Sequence, residues 1–317
     1  MNATLKAELL QRGYTLNKIT LDRVYKQFFS PGGKAILNVG LYHDYPFITQ
    51  TAKKVSIDKT LGYDFAKIHQ VNTPATLQTL DMAQASAFLD KYKKVIVKPV
   101  DLSDTKGLTI NITDSDALKA AIEKATYDTQ APLIQEQFIG DEVRITVLAG
   151  KVFSAVHRRT PRVTGDGVSS IRQLIDKENK ERALLSFPLY TYPQWDGTMI
   201  PAELFNSETV LEKGQTMVLS RKVPFGRGTS FHGITEEVHS SYFDIAEKLA
   251  NNLNPPMLVI DFMIKDYTAP ASSDNYVFLE FNTSPSLEIY SSIRDGDRPD
   301  VISKIADLIE KYAQLSD

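Results

Sequence analysis

Two β-strand-like segments near the C-terminal end constrain this chain more than any other part of it. The first, 258–264, is apolar except for Asp261, and the second, 276–282, contains Glu280 and Asn282. An ionised carboxylate inside an apolar strand costs several kcal/mol unless a partner compensates it. Because residues two apart on a strand project from the same face, Glu280 and Asn282 are expected to share one face, with Leu279 and Phe281 on the other.

Three oxygen-bearing side chains of this kind suit a hard cation. Carboxylate and amide oxygens, with no cysteine or histidine nearby, favour Mg²⁺ carrying the phosphates of a nucleotide. The alternative interpretation is an amphipathic hairpin whose polar face is simply solvated. The apolar surroundings of Asp261 favour the cation site.

Length and composition limit the class of protein. A chain of 317 residues is long enough for two or three packed subdomains. Its net charge of −3, with interspersed charges, gives no footprint for nucleic acid or an anionic membrane. The absence of cysteine excludes disulfides and thiolate metal sites and fits a reducing compartment. No segment approaches the roughly 20 apolar residues of a membrane span, so we expect a cytoplasmic protein without a membrane partner.

The pattern of apolar residues predicts an α+β protein. Helices are expected at 5–11, from a cap at Ser56 to about His69, at 81–92, after a capping-box-like Thr113 and Asp116, and at 169–181, 241–253 and 301–312. Strands are expected at 35–41, 94–98, 133–138, 142–148 and 151–156. Short turns join many of these strands, which favours antiparallel sheets.

Several cationic and polar positions are candidates for binding anions. Lys98 ends an apolar strand before the polar loop 101–107, an arrangement suited to phosphate, although Lys-Pro at a strand end is common without that role. In the segment 134–145, backbone groups near Gln137 and Phe138 could read an adenine edge while Glu142 takes ribose hydroxyls. A solvated strand shows the same alternation of charged residues.

Arginines cluster in two further segments. Arg158, Arg159 and Arg162 precede a Gly-Asp-Gly sequence, and Arg221, Lys222 and Arg227 surround a glycine-containing loop. They indicate anionic ligands, carboxylate or phosphate, or else surface ion pairs. Arg294 and Arg298 are placed to hold a substrate carboxylate or, equally, to pair at the start of the last helix. The sequence contains no nucleophile-triad pattern, Walker A loop or dinucleotide fingerprint.

The order of these pieces resembles the ATP-grasp superfamily, and most of all the ATP-grasp modules of cyanophycin synthetase and of the fused bacterial glutathione synthetase. The most specific part is GDG-x(3)-I-x(2)-L-I-x(3)-N, from Gly165 to Asn179. The other motifs, in order, are Lys59, Val-Lys-Pro at Lys98, the segment 135–144, Arg158 seven residues before Gly165, Arg221, Asp261 and the segment 278–282. The resemblance extends over about residues 52–312.

This resemblance implies a role for each matching residue. The implied assignments are ATP phosphates for Lys59 and Lys98, the adenine and ribose hinge for Glu136, Gln137, Phe138 and Glu142, the γ-phosphoryl group for Arg221, substrate or phosphate for Arg144 and Arg158, and Mg²⁺, with Mn²⁺ as an alternative, for Asp261, Glu280 and Asn282. It also implies the ATP-grasp fold, in which two α/β subdomains clamp ATP between antiparallel sheets. The expected division is a reduced N-terminal region at 1–55, a first subdomain at 56–140 and a second at 141–317.

The implied activity is an ADP-forming carboxylate–amine ligase that makes an amide or peptide bond through an acyl phosphate. Its partners would be a small carboxylate and an amine, such as amino acids or short peptides, and a homodimer is left open. Two alternatives remain, a phosphotransferase and a nucleotide-binding protein without turnover. The second is supported by the unusual loop Thr105-Lys106-Gly107, which has one glycine where relatives have two.

Overall fold

The computed structural model describes residues 3–20, 24–30, 33, 35–39, 43–45, 47–100, 107–126, 130–185, 187, 192–221 and 228–314. The helices are α1 Ala3–Gln11, α2 Gln50–Ile57, α3 Lys59–Ile68, α4 Met82–Tyr92, α5 Ser115–Ala125, α6 Ile171–Leu184, α7 Ala202–Phe205, α8 Ser240–Leu253, α9 Glu288–Ser291 and α10 Val301–Gln314. None of these helices is long and apolar enough to cross a membrane.

The strands form four sheets. They are β1 Thr15–Thr20, β2 Val24–Phe29, β3 Ala35–Val39, β4 His43–Asp44, β5 Thr76–Gln78, β6 Val95–Lys98, β7 Thr109–Ile112, β8 Leu133–Glu136, β9 Asp141–Leu148, β10 Lys151–Arg159, β11 Arg162–Thr164, β12 Thr216–Val218, β13 Ser230–Gly233, β14 Met257–Ile264, β15 Tyr276–Asn282 and β16 Asp295–Gly296. Strand pairing is antiparallel, as predicted, except between β13 and β16.

Helix starts follow the capping chemistry of the sequence. Asp81 caps α4, and Ser170 begins α6 in a reciprocal capping box with Gln173, so the helices predicted at 81–92 and after 169 are confirmed. A cap supplies an oxygen to backbone N–H groups that have no partner in the first turn. These two caps fix where α4 and α6 begin.

Two predicted caps are wrong. Ser56 lies inside α2, and the carboxylate of Asp58 instead accepts hydrogen bonds from the first N–H groups of α3. At α5 the cap is Asp114, whose side chain accepts from the N–H of Ala117 at 2.8 Å, rather than Thr113. In both cases the Asp that directly precedes the first helical residue provides the capping oxygen.

The N-terminal region is richer in strands than its sequence indicates. The helix predicted at 5–11 and the strand predicted at 35–41 are present as α1 and β3, but β1 and β2 were not predicted, and the four strands form a sheet in the order β1-β2-β3-β4. Between β2 and β3, the N–H of Gly33 donates to the carbonyl of Ser30 at 2.8 Å. Pro31 and Gly32 lie outside the described residues. The expected boundary at 55/56 lies within α2, and the three-part division of the chain stays a prediction.

Two larger sheets form the rest of the fold. The sheet β5-β8-β6-β7 packs against α4 and α5 around a small apolar core that includes Leu89, Val97 and Leu118. The six-stranded sheet has the order β15-β14-β9-β10-β13-β16. The chain passes from the first sheet to the second between β8 and β9.

The two faces of the six-stranded sheet meet different helices. Ile145 and Ile260 pack with Tyr242 of α8, and we call this side the α8 face. Val156 and Met257 pack with residues of α10, and we call this side the α10 face. Since side chains alternate along a strand, each residue of β9, β10, β13 and β14 can be assigned to a face by its position.

A β-bulge interrupts the alternation in β15. Asp261 lies opposite Glu280, but the next residue, Phe262, lies opposite Phe278, so Leu279 has no partner in the ladder. Phe278 and Phe281 pack together in the core with ring centroids 4.5 Å apart. Phe278 and Phe281 therefore share a face although they are three residues apart, and the expectation that Leu279 would share the face of Phe281 is wrong, because Leu279 is the extra residue of the bulge.

Candidate active site

Three adjacent strands bring the predicted metal ligands together. In the β14–β15 pair Asp261 lies opposite Glu280 and Val259 lies opposite Asn282, while on the other side of β14 Asp261 lies opposite Arg144 of β9. Asp261 lies four residues after Met257 on β14, and because every second side chain of a strand points to the same side, both lie on the α10 face. The three candidate ligands are therefore neighbours on one surface of the sheet.

Arg144 compensates the buried charge of Asp261. Its Nε and Nη2 atoms donate to Oδ1 and Oδ2 of Asp261 at 2.7 and 2.6 Å, a two-bond pairing of guanidinium with carboxylate. Asn282 adds a third bond, from Nδ2 to Oδ2, at 2.9 Å. Asp261 is only 2% exposed. The sequence required a compensating partner for this carboxylate, and the structure identifies it as a residue 117 positions away.

Glu280 is the less enclosed of the two carboxylates. Its side chain is 38% exposed, and Oε2 lies 4.0 Å from Nζ of Lys59. Burial and then the negative charge of Asp261 raise the pKa of Glu280, against the opposing charges of Lys59, Lys98 and Arg144. A carboxylate whose ionisation is hindered by a neighbouring carboxylate makes a site at which a cation would be favourable.

Lys59 and Lys98 reach this cluster from outside the six-stranded sheet. Lys59 is the first residue of α3, and its Nζ lies 3.5 Å from the carbonyl of Val100. Lys98 ends β6 and donates to the hydroxyl of Tyr63 at 2.9 Å. Tyr63 lies four residues after Lys59 on α3, so the two lysines are linked through one helix. The sequence analysis did not identify Tyr63 as part of this cluster. Its position four residues after Lys59, on the same face of a helix, could have indicated it.

The predicted hinge residues lie between the two sheets and make local contacts. Oε1 of Glu136 accepts from the N–H of Ala75 at 3.0 Å. The side chain of Gln137 bonds both the backbone and the side chain of Asn111, at 2.7 and 2.9 Å, while its own N–H donates to the carbonyl of Lys94. Nζ of Lys265 lies 5.1 Å from the ring centre of Phe138. These contacts fix the segment that connects the sheets.

Glu142 and Arg158 form an ion pair on the α10 face. Nη1 of Arg158 donates to both carboxylate oxygens of Glu142 at 3.0 Å. The two residues lie opposite each other in the β9–β10 ladder. Arg144, two residues after Glu142, extends this row of charges toward Asp261.

The remaining arginines are spread over the second half of the chain. Arg221 is exposed beyond β12, and among the described residues no contact joins it to the carboxylate cluster. Arg294 pairs with Glu178 and Glu181, and Arg298 donates to the carbonyl of Arg294 at 2.8 Å. Ion pairs with α6 therefore account for Arg294, while Arg298 contacts a backbone carbonyl.

Parts of both glycine loops lie outside the described residues. These are Thr105 and Lys106 in the first loop, and Lys222, Pro224, Phe225, Gly226 and Arg227 in the second. Gly107 is described, and it has a φ of +71° with Pro99 Cγ 2.7 Å from where a Cβ would be. Only glycine fits that position without movement.

The donor set fits a hard cation. Within the part of the chain that the structure describes, no group of three or more His, Cys, Asp or Glu is placed to hold a metal ion. The candidate set therefore consists of two carboxylates, Asp261 and Glu280, and the amide oxygen of Asn282. Oxygen donors of this type match Mg²⁺ or Mn²⁺ and do not match Zn²⁺ or copper.

Comparison with known proteins agrees with this geometry. Residues 61–173 match the model of the prokaryotic glutathione synthetase ATP-grasp domain. The chain is 25% identical over 236 residues to cyanophycin synthetase of Geminocystis herdmanii, covering 72% of this chain and 27% of that protein. It is 23% identical over 265 residues to the glutathione biosynthesis bifunctional protein of Clostridium perfringens, covering 80% of this chain and 34% of that protein. The chain thus spans about a quarter to a third of these relatives.

Solved structures show the same fold. The bifunctional glutathione synthetase from Pasteurella multocida superposes with a TM-score of 0.65 at 16% identity, covering 98% of this chain and 44% of that one. D-alanine–D-alanine ligase from Bacillus anthracis gives a TM-score of 0.50 at 16% identity, covering 83% of this chain and 68% of that one. The chain therefore has the ATP-grasp fold, and residues 61–173 match that domain in sequence. Its similarity to the ATP-grasp modules of cyanophycin synthetase and bifunctional glutathione synthetase, predicted from the motifs, is confirmed.

Proposed function

We propose that this protein is an ADP-forming carboxylate–amine ligase that uses Mg²⁺ and ATP. The observation that carries the proposal is the convergence of Lys59 and Lys98 on the carboxylate of Glu280, which lies opposite Asp261. Lysines beside paired carboxylates form a site that can hold both a metal ion and the phosphates it accompanies. The ATP-grasp fold supplies the second support.

Asp261, Glu280 and Asn282 would hold the metal ion, which when bound neutralises phosphate charge. Lys59 and Lys98 would contact the triphosphate directly, and Arg221 would lie at the γ-phosphoryl group. Glu136, Gln137 and Phe138 would hold adenine, with Glu142 at the ribose. In the present arrangement Glu142 is paired with Arg158, so binding of a ribose there would have to share or exchange that ion pair. Arg144 and Arg158 would face substrate or phosphate.

The reaction would proceed in two transfers. A carboxylate oxygen of the acid attacks the γ-phosphorus of ATP, the bond to the β-phosphate oxygen breaks, and ADP leaves. The amine then attacks the acyl carbon, inorganic phosphate leaves with the former carboxylate oxygen, and the nitrogen loses a proton. The protein's part is to position the reactants and to offset the charge of two approaching anions with lysine and arginine. No side-chain nucleophile is needed.

The substrates we propose are amino acids or short peptides. The names of the relatives, glutathione biosynthesis protein and D-alanine–D-alanine ligase, refer to products of this size. A small acid and a small amine would fit the proposed cleft between the sheet β5-β8-β6-β7 and the six-stranded sheet. The division of the chain at 55/56 and 140/141 belongs to the same proposal.

The test is the fate of ATP and of carboxylate oxygen. With both an acid and an amine from an amino-acid panel, ADP and phosphate should form in equal amounts, and ¹⁸O in the carboxylate should appear in phosphate. AMP and pyrophosphate as products would contradict the acyl-phosphate route. ADP formed from the acid alone, without amide, would indicate the phosphotransferase instead.

A further inference from the structure

A cavity of about 560 Å³ lies on the α8 face of the six-stranded sheet. His157 and Arg159 of β10 and His232 of β13 line it. Arg158, between the first two, pairs with Glu142 on the α10 face. Because side chains alternate along β10, His157 and Arg159 project from the opposite side. The sheet itself therefore separates this cavity from the candidate active site.

The wall of the cavity contains cations that have no counter-charge among the residues that the structure describes. Its acidic side chains already have cationic or histidine partners, in the pairs Asp141–Arg162, Glu178–Arg294, Glu181–Arg294 and Asp295–His232. The side chain of Arg159, in contrast, makes no hydrogen bond or ion pair with any described residue, and it is half-buried. Lys177, at the rim, is exposed and is likewise unpaired within the described part of the chain. An anion is the group that would complete the wall.

A buried histidine in the same wall has Asp141 near one ring nitrogen and no described partner at the other. His157 is 2% exposed, and neither of its ring nitrogens forms a hydrogen bond with a described residue. Oδ1 of Asp141 lies 3.5 Å from Nε2 but forms no hydrogen bond with it. Buried polar groups are nearly always hydrogen-bonded, so an orphaned one that lines a cavity indicates a missing ligand or water.

We propose that this cavity binds a small molecule through a carboxylate group. The guanidinium of Arg159 would take the two carboxylate oxygens, and a ring N–H of His157 would donate to one of them. Leu174 and Trp195 provide apolar wall for the rest of the molecule. A carboxylate carried on a carbon chain would use this apolar wall, whereas inorganic phosphate would not. The volume is within the range of roughly 300–1,000 Å³ typical of small-molecule sites.

The experiment is calorimetric titration of the full chain with three probes, glutarate, its neutral diamide glutaramide, and inorganic phosphate. Glutarate should bind, glutaramide should not, and phosphate should bind more weakly than glutarate. Saturating Mg²⁺-ATP should leave glutarate binding unchanged, because the two sites lie on opposite faces. Arg159→Gln should weaken glutarate binding about tenfold or more, since it removes the charge-assisted bonds.

Arg172→Gln is the matched control, because Arg172 lies on α6, pairs with exposed Glu208 and does not line the cavity. His157→Phe is a second variant that keeps a ring of similar shape and removes the nitrogen atoms. Circular dichroism checks that each variant is folded. The proposal would be overturned if both Arg159→Gln and His157→Phe bound glutarate as tightly as the wild type, or if glutarate did not bind at millimolar concentration. Equal binding of glutaramide, tighter binding of phosphate, or competition by ATP would also overturn it. Each readout is independent of turnover, so failure of the proposed ligase activity would leave it standing.

Discussion

Replacing Asp261 by alanine is the most direct test of how the buried charges are arranged. From the sequence alone, Asp261→Ala is expected to raise stability while abolishing function, because it removes a carboxylate from an apolar strand. The structure reverses the sign of the stability change. Asp261 is paired through two hydrogen bonds with Arg144, so the substitution leaves a guanidinium without its counter-charge.

The magnitude follows from how deeply the pair is enclosed. The side chains of Arg144 and Asp261 are only 12% and 3% exposed. Removing one member of such a pair costs about 3–5 kcal/mol, and because Arg144 keeps some contact with water we expect about 3 kcal/mol. The double variant Arg144→Met/Asp261→Ala removes both charges and should be within about 1 kcal/mol of the wild type. The effects of the two substitutions on the free energy of unfolding should therefore be strongly non-additive.

Equilibrium unfolding in urea measures this change. The chain has a single tryptophan, and Trp195 is 4% exposed, so its fluorescence reports tertiary structure while far-UV circular dichroism reports the helices. With m near 3 kcal/mol/M, the expected shift of the midpoint for Asp261→Ala is about 1 M downward. Coincident transitions by the two probes are needed for this conversion. If Asp261→Ala were as stable as the wild type, or the double variant no better than the single one, the ion pair would not have the importance we assign to it.

Three further outcomes are expected. The pKa of Glu280 is raised in the folded protein, so its protonated form favours folding and stability is lost as pH rises through that pKa. Glu280→Gln should therefore be more thermally stable than the wild type above pH 4.5, while ADP formation falls about 100-fold. Parallel profiles of melting temperature against pH for the two proteins would contradict this. Lys98→Met should reduce the rise in melting temperature produced by Mg²⁺-ATP, whereas Lys91→Met, at an exposed site on α4, should not; equal shifts would remove Lys98 from the nucleotide site. Burial, and then the charge of Arg159, lower the pKa of His232 to about 4. The free energy of unfolding should therefore fall by up to about 3 kcal/mol as pH is lowered from 6.5 to 4. Urea unfolding of His232→Gln at a series of pH values should show a smaller fall over this range.

The sequence grouped the candidate ligands correctly where they lie on neighbouring strands. Asp261, Glu280 and Asn282 come from two consecutive strands, so a period of two residues was sufficient to place them on one face. The partner of Asp261 could not be predicted in the same way. Arg144 reaches it from β9, and strand order within a sheet depends on tertiary packing rather than on local pattern.

Local signals failed where two residues competed for one position. Ser56 and Asp58 are both good caps, and the choice between them depended on where α2 ends, which the sequence does not mark clearly. The bulge at Leu279 leaves no trace in the apolar pattern. The cavity combines His157, Ser230 and Asp295 from three distant segments, and Asp295 had no sequence feature that distinguished it from other surface acids.

The alternation of His157, Arg158 and Arg159 also limits which mutations β10 can tolerate during evolution. His157 and Arg159 line the cavity on one face of the strand, while Arg158 pairs with Glu142 on the other face. The face of each side chain is set by its odd or even position along the strand. A substitution alters one of these environments. An inserted or deleted residue before position 157 would move every later side chain of the strand to the other face and disrupt all three at once. Variation in related chains should therefore appear in β10 as exchanges of amino acid, while changes of length collect in the turn at Ala149 and Gly150.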